Sequence, residues 1–390
     1  MRALIVEQGW SRGALAAARA LHDAGWTVGV ATPTGPRDGL AVRSRARSAH
    51  HRTEPLHPAD GFTGSVARAV REGGYDVVFG AGEAEVTALS AARDAVGAVV
   101  PHGPHDQLLR AMDKSELARA ASAVGIAVPD VLDPADVPDE RTACIVKADR
   151  HARPDLPGSP PRIDTTVVTG RTAVARRVAQ VRALGADVEV QVLHPGTLVA
   201  YAVVRGPGGV VAESQQRAER IWPPGAGASA RAVTVDVDEE LAARAQALLE
   251  SLEFLGLAEL QYVQAPDGTA RLIDLNARFY GSLSLAVAAG ANLPAAWGQI
   301  ALGRAPRPVR ARPGVRYQWG SADVRRALTE RRGGLVRDLA ATVGAAPGAR
   351  HSVASLRDPG PALARLRSGL ARRERRRPAP TGVPAPASAT

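Results

Sequence analysis

From its second residue the chain alternates short apolar runs with amphipathic stretches. "RALIVEQ" predicts a strand, "SRGALAAARALHDAGW" a helix ended near Gly25, and "TVGVATP" a second strand. "DVVFGAG" and "EAEVTALSAARDAV" repeat strand then helix. Strands that alternate with helices predict an α/β fold with a parallel sheet. The next segment is helical from about Gln107, and Gly125 ends its second helix. "TACIVKADR" then predicts a strand with Lys147 near its exit. "RHARPDLPGSPPRIDTT" reads as a long polar loop, "RTAVARRVAQVRAL" as a helix, and "DVEVQVLHPG" as a strand stopped by Pro195 and Gly196.

The second half reads as larger strands. "TLVAYAVVRGPGGVVAESQQ" predicts a hairpin turning at "GPGG". "ERIWPPGAGASARAV" reads as a Gly/Pro-rich loop flanked by arginines, and "DEELAARAQALLESLEF" as an amphipathic helix. "GLAELQYVQAPDGTARLIDLNARF" predicts two strands joined by the turn "APDG". Within it, "RLIDLNARFYGS" has a period of two: Asp274, Asn276 and Arg278 fall on one face, and Ile273, Leu275 and Ala277 on the other. Gln261 precedes Asp274 across the turn, so antiparallel pairing brings it beside Asp274 and Asn276. "SLSLAVAAGANLPAAWGQIALG" is helical. After about residue 310 come two or three Arg-rich helical pieces and a Pro/Ala tail.

Composition narrows the class. The chain has 390 residues, 45% of them hydrophobic, enough for two or three packed domains. It lacks an apolar run of about 18 residues, so no membrane span is expected, and no basic leader opens it. The single cysteine, Cys144, sits in an apolar run and reads as a buried, inert thiol. A cytoplasmic location fits these features. The net charge is +10, but residues 361–390 hold seven arginines against one glutamate, +6 of that total. The excess is therefore a tail property, and without zinc-finger spacing or an aromatic RNA-binding motif a nucleic-acid partner is not expected. The "HH" pair at 50–51 reads as surface. "EQGWSRG" is not a dinucleotide fingerprint. The loop from Gly80 to Glu85 follows a strand end, a common ligand position in α/β folds.

Of 49 Lys and Arg residues only two are lysines, Lys114 and Lys147. Where arginine has replaced nearly every other cation, a retained lysine points to a place for a compact ammonium rather than a planar fork. A phosphate pocket is such a place. Gln261, Asp274 and Asn276 offer hard oxygens of the kind magnesium takes in small number from protein, with phosphates and water as its other ligands.

The order "DK", a strand ending in "VK", the strand "EVQVLHPG", an arginine/glycine loop, then "LQY…IDLNAR" and "RFYGSLSLAVAAGANLP" resembles the ATP-grasp superfamily, and more narrowly its carbamoyl-phosphate-synthase-like branch of carboxylate–amine ligases. The resemblance covers about residues 1–310. It implies an N-terminal parallel-sheet domain (1–110) on the acceptor side and a two-lobed α+β ATP-grasp fold. The lobes would be a small one (111–195) and a large one (196–310). A helical extension (311–370) and a disordered tail (371–390) would follow. It further implies that Lys114 and Lys147 bind phosphate, that Gln191, Val192, Leu193 and His194 form the adenine hinge, and that Gln261, Asp274 and Asn276 hold Mg²⁺, with Mn²⁺ as a substitute. Arg278 would face the transferred phosphoryl group. Arg217, Arg220, Gly225, Gly227 and Ser229 would lie in a loop that closes over the reacting carboxylate.

The sequence departs from the family pattern in four places. Asp274 stands where glutamate is usual, Gln261 is a neutral ligand, though the carbamoyl-phosphate branch also uses glutamine there, and Ala277 replaces a frequent proline. A polar loop holding Arg150, Arg153 and Arg162 takes the place of the glycine-rich flap. The implied activity is ATP- and Mg-dependent amide formation through an acyl phosphate, on small carboxylate and amine substrates such as amino acids, in a chain that can be a homodimer. Two alternatives stay open: a carboxylate or carbamate kinase without amide formation, and a non-catalytic nucleotide binder or an interaction protein using the basic tail.

Overall fold

A computed structural model describes residues 1–35, 38–56, 61–148, 163 and 165–375. The N-terminal sheet holds β1 (Arg2–Val6), β2 (Thr27–Thr32), β3 (Ala49–Arg52) and β4 (Val77–Gly80), all parallel in the order β3-β2-β1-β4. Helices α1 (Arg12–Asp23) and α2 (Phe62–Gly73) belong to this unit. Ser11 caps α1 by accepting from the Ala14 amide at 3.0 Å, and Gly25 follows its end at a positive φ of 81°. The predicted helix after β4 is two pieces, α3 (Glu83–Ala91) and α4 (Arg93–Val96), with Ala92 between them. Strand β3 changes the reading of the histidine pair. His50 lies 3.1 Å from Thr32 Oγ1, and His51 lies 2.8 Å from the Tyr75 hydroxyl and 3.3 Å from Glu72, so both are half-buried sheet residues.

Helices α5 (His105–Met112) and α6 (Lys114–Ala123) lead to a small antiparallel sheet. It contains β5 (Val131–Leu132), β6 (Ala143–Ala148), β7 (Thr166–Thr169) and β8 (Val188–Val192) in the order β5-β8-β6-β7, with α7 (Arg171–Arg182) against it. Cys144, Val146, Val174, Val178 and Val190 form its core, so Cys144 is buried as expected. Arg150, Arg153 and Arg162 lie outside the described residues.

A large sheet follows, built from β9 (Thr197–Gly206), β10 (Gly209–Trp222) and β11 (Ala228–Val235), then α8 (Glu239–Ser251), β12 (Gly256–Gln264) and β13 (Ala270–Asn276). Helices α9 (Leu283–Ala288) and α10 (Leu293–Ala301) come next. After them lie β14 (Val309–Arg310), β15 (Arg316–Gln318), α11 (Gly320–Glu330), α12 (Leu335–Gly344), β16 (Ala349–His351) and α13 (Gly360–Arg375).

Two readings are corrected here. The region read as a Gly/Pro-rich loop is a hairpin, because β10 runs to Trp222 and β11 starts at Ala228, leaving only 223–227 as the turn. The tail of the chain is not only helical. β15 pairs antiparallel with β11 and β16 parallel with β15, so the last part of the chain extends the large sheet. Helix α13 also runs beyond residue 370, where a disordered tail was expected to begin. Phe79, Phe279 and Trp297 pack ring against ring between the N-terminal sheet and the large one.

Candidate functional site

The small sheet, the large sheet and the N-terminal unit enclose a cavity of about 840 Å³. Each functional side chain reaches it for a local reason. Asp113 caps α6, its carboxylate accepting from the Ser115 and Glu116 amides at 3.0 Å, so Lys114 is the first residue of that helix and enters the cavity. Lys147 on β6 lies directly across from Glu189 on β8, and their charged atoms are 3.0 Å apart. Gln191 donates to the same carboxylate at 2.5 Å. On β12 and β13, Glu259 lies across from Asn276 and Gln261 across from Asp274. Lys114 reaches Asp274 Oδ1 at 3.3 Å, which joins the cation at the start of α6 to the acid on β13.

Glu259 was missed by the sequence reading. It accepts from Gln261 Nε2 and from Asn276 Nδ2, both at 3.0 Å. Each amide thus turns its nitrogen toward Glu259 and keeps its carbonyl oxygen for another partner. The signal was present, since Glu259 stands two residues before Gln261 on the same strand face. It sits in the run "GLAELQYV", which otherwise reads as a buried strand. A bulge opposite Tyr262 leaves Ile273 unpaired, and Ile273 lines the cavity beside Asp274 instead of joining Leu275 and Ala277 in the core.

The electrostatics follow from burial. Glu259 is pushed up to about 7, mainly by desolvation, with Asp274 adding to the rise and Arg278 opposing it. Burial holds Lys147 below its ordinary value, Glu189 opposes this, and the Lys114 charge adds to it. Burial also penalises Lys114, yet Asp274, Glu83 and Glu189 outweigh it and raise its pKa. These shifts fit a pocket with two ammoniums on one side and mixed carboxylate and amide oxygens on the other. Among the described residues there is no group of three or more His, Cys, Asp and Glu able to hold a metal ion. The donor set suits a hard cation that takes few protein ligands: Asp274 and Glu259 as carboxylates, with the Gln261 and Asn276 carbonyls beside them.

Most of the sequence-predicted residues line this one cavity: Lys114, Lys147, Gln191, Val192, Leu193, His194, Gly225, Gly227, Ser229, Gln261, Asp274, Asn276 and Arg278. In the hinge, the amides of Val192 and Leu193 donate to Asp130 O and Ala143 O at 3.0 Å. Arg217 and Arg220 do not line the cavity. Arg217 is exposed on the ladder between Val199 and Val233. Arg220 lies among the charges of Arg231, Arg326, Arg332 and Asp338. The strand period explains the misreading: once 217–222 is sheet rather than loop, these side chains are fixed by the pleat. Gly225, at φ +89°, forms the hairpin tip, and a Cβ there would lie 3.0 Å from Val167 of β7, so the tip meets the small sheet. The stretch read as a loop from Gly80 to Glu85 is only 81–82, because β4 ends at Gly80 and α3 begins at Glu83; Glu85 is buried in α3, where burial raises its pKa against the lowering by Gln8 and Arg278.

A family model described as "ATP-grasp in the biosynthetic pathway with Ter operon" matches residues 211–322, the span holding Glu259, Gln261, Asp274, Asn276 and Arg278. No curated protein sequence matches the chain. Among solved structures, the biotin carboxylase domain of Hydrogenobacter thermophilus 2-oxoglutarate carboxylase, in complex with MgADP, ADP and bicarbonate, is similar at TM-score 0.63 and 11% identity over 81% of this chain and 73% of that one. The ADP complex of N5-carboxyaminoimidazole ribonucleotide synthetase gives 0.59 and 16% over 85% and 86%. The L-amino acid ligase of Bacillus licheniformis gives 0.56 and 15% over 78% and 75%. Fold and family model agree: this is a protein of the ATP-grasp fold, with the family's own sequence pattern across residues 211–322.

Proposed function

We propose that the chain is an ATP-dependent ligase that joins a carboxylate to an amine through an acyl phosphate and releases ADP and phosphate. One observation carries this reading: the chain's only two lysines converge with Asp274, Glu259 and two oriented amides in a single cavity. Phosphoryl transfer needs positioning and charge neutralisation more than covalent help from protein, and such a set supplies both. Lys114 and Lys147 hold phosphate oxygens. The hinge from Gln191 to His194 receives the base, with the His194 amide as the candidate donor because its two predecessors are used within the sheet. A magnesium ion bound by Asp274 and Glu259, with the Gln261 and Asn276 carbonyls beside it, would neutralise triphosphate charge.

Arg278 orients the substrate carboxylate for attack on the γ-phosphorus. The carboxylate oxygen forms the new P–O bond and ADP leaves. The amine then adds to the activated carbonyl, phosphate departs, and the amine proton is lost to solvent or to a neighbouring carboxylate. Such an intermediate hydrolyses in water, so the hairpin tip at 223–227, seated against β7, acts as a cover that excludes solvent. The L-amino acid ligase among the structural neighbours supports amino acids as first candidates for both substrates.

The test is nucleotide release. ADP forms only when a suitable acid and amine are both present, and acid alone gives at most slow hydrolysis. ADP formation that is complete with acid and indifferent to amine would replace amide formation with a carboxylate kinase.

A further inference from the structure

The N-terminal wall of the cavity carries a guanidinium that the proposed reaction leaves unused. Arg12 opens α1 and lines the cavity with Ser11, Gly13 and Trp319. Its guanidinium carbon lies 3.5 Å from the centre of the Trp319 ring, a stacked cation–π contact. Its Nη1 donates to the Tyr317 hydroxyl at 2.8 Å and to Gly281 O at 3.4 Å, and the same Tyr317 hydroxyl donates to Gly281 O at 3.0 Å. A Cβ on Gly281 would lie 2.6 Å from Arg12 Nη2, so a side chain there would displace the head group from its present position. Among the described residues no carboxylate forms an ion pair with Arg12, and its hydrogen bonds are to neutral oxygens. An arginine stacked on one face, tied at one edge by hydrogen bonds to neutral oxygens, and left without a counter-ion in a cavity wall is a preorganised anion receptor.

The clamp comes from three parts of the chain. Arg12 belongs to the N-terminal unit, Gly281 to the loop that carries Arg278, and Tyr317 and Trp319 to the last part of the large sheet. That last part therefore has a role at the cavity, although its sequence reads only as an Arg-rich extension.

We propose that Arg12, held by Trp319 and Tyr317, binds an anionic group of the acceptor substrate, a carboxylate or phosphate separate from the carboxylate that Arg278 presents to ATP. Trp319 is a positioning residue, because it acts through Arg12. This inference rests on the ligase reading and narrows its substrate class to molecules with a second negative group.

The test uses the full chain, saturated with the magnesium complex of a non-hydrolysable ATP analogue so that the lysine side of the cavity is filled. Succinate and inorganic phosphate are then titrated calorimetrically into wild type, R12A, R12K, W319A and W319F. At least one anion is expected to bind the loaded wild type and to weaken about tenfold or more in R12A, the scale of one charge-assisted contact. R12K and W319A are expected to fall between these, and W319F, which keeps an aromatic face for the guanidinium, to recover most of the W319A loss, with the change confined to anion affinity, a split that a general packing role would not give. Succinate binding alone assigns a carboxylate ligand, phosphate binding alone a phosphate. Nucleotide affinity is expected to stay within about twofold in every variant. Nucleotide binding with anion affinity indifferent to Arg12, or with neither anion bound by wild type at about 20 mM, overturns this inference alone. Absence of nucleotide binding overturns the ligase reading, and this inference falls with it.

Discussion

Glu259 gives the sharpest link between the site and the stability of the fold. Its carboxyl is buried between two amides and rises to about 7 from an ordinary value of 4.5. Each such unit is about 1.4 kcal/mol, so the full displacement is worth about 3 kcal/mol. The sign follows from proton linkage. Between pH 4.5 and 7 the folded chain binds more protons than the unfolded one, so this residue makes stability fall as pH rises through that window. The loss is complete above about 7 and absent below 4.5. Replacing Glu259 by glutamine keeps the shape and one carbonyl acceptor for the Gln261 and Asn276 amides, but removes the charge. E259Q should therefore be more stable than wild type at pH 8 by about 1–3 kcal/mol, after allowance for weaker hydrogen bonds. The two should converge at pH 5. Urea denaturation at both pH values measures this directly. The same substitution should weaken magnesium-dependent nucleotide binding, so the variant gains stability while losing function, a trade common at binding sites. E259Q less stable than wild type at pH 8 by as much as at pH 5 would refute the reasoning, because it would make Glu259 an ordinary structural carboxylate.

Four further outcomes are expected. Lys147→Ala should weaken nucleotide binding by about tenfold or more, since it removes a charged contact and strands Glu189; Lys147→Arg should not restore it, because the pocket fits an ammonium, and calorimetric titration with nucleotide checks both. Arg278→Ala should lower ADP release by about a hundredfold, whereas Arg217→Ala, on an exposed ladder position, should stay within about twofold; steady-state rates separate the two. Gly13→Ala should destabilise by about 1–3 kcal/mol in a denaturant titration, because the new methyl would lie 2.5 Å from Phe279 O and push on the loop that carries Arg278. Arg326→Ala should cost about 3–5 kcal/mol by the same method. It would leave Asp338 (3.0 and 2.6 Å away), Asp323 (3.2 Å) and Glu330 (3.0 Å) without their shared buried cation.

The strand that carries Asp274 and Asn276 was legible because its pattern is local. Asp274, Asn276 and Arg278 alternate with core residues, and the "APDG" turn pairs them with Gln261 across a hairpin. The two lysines were legible by rarity rather than by periodicity. Glu259 was hidden because it stands in an otherwise apolar run; its place two residues before Gln261 on the same strand face was the one local signal, and its other partner, Asn276, comes from the neighbouring strand. Ile273 was misplaced because a bulge shifts the period by one residue, and the period alone cannot place the bulge. The hairpin through 219–233 was read as loop because its turn residues, Pro223 to Gly227, masked strands on both sides. Trp319 and Arg12 could not be paired from sequence at all: their contact depends on how far the large sheet extends, a tertiary outcome in which β15 adds to β11.

The central claim is that this cavity couples nucleotide cleavage to the joining of an acid and an amine. The most direct measurement is ADP and phosphate release from Mg-ATP against amino acids and dicarboxylic acids, tested singly and in pairs, with Lys147→Ala and Asp274→Ala alongside. ADP that appears with a particular acid and amine together, is accompanied by an equal amount of amide, and is lost in both variants is the expected result. ADP release that persists in Lys147→Ala and Asp274→Ala, or a wild-type chain that does not bind ATP, would contradict it.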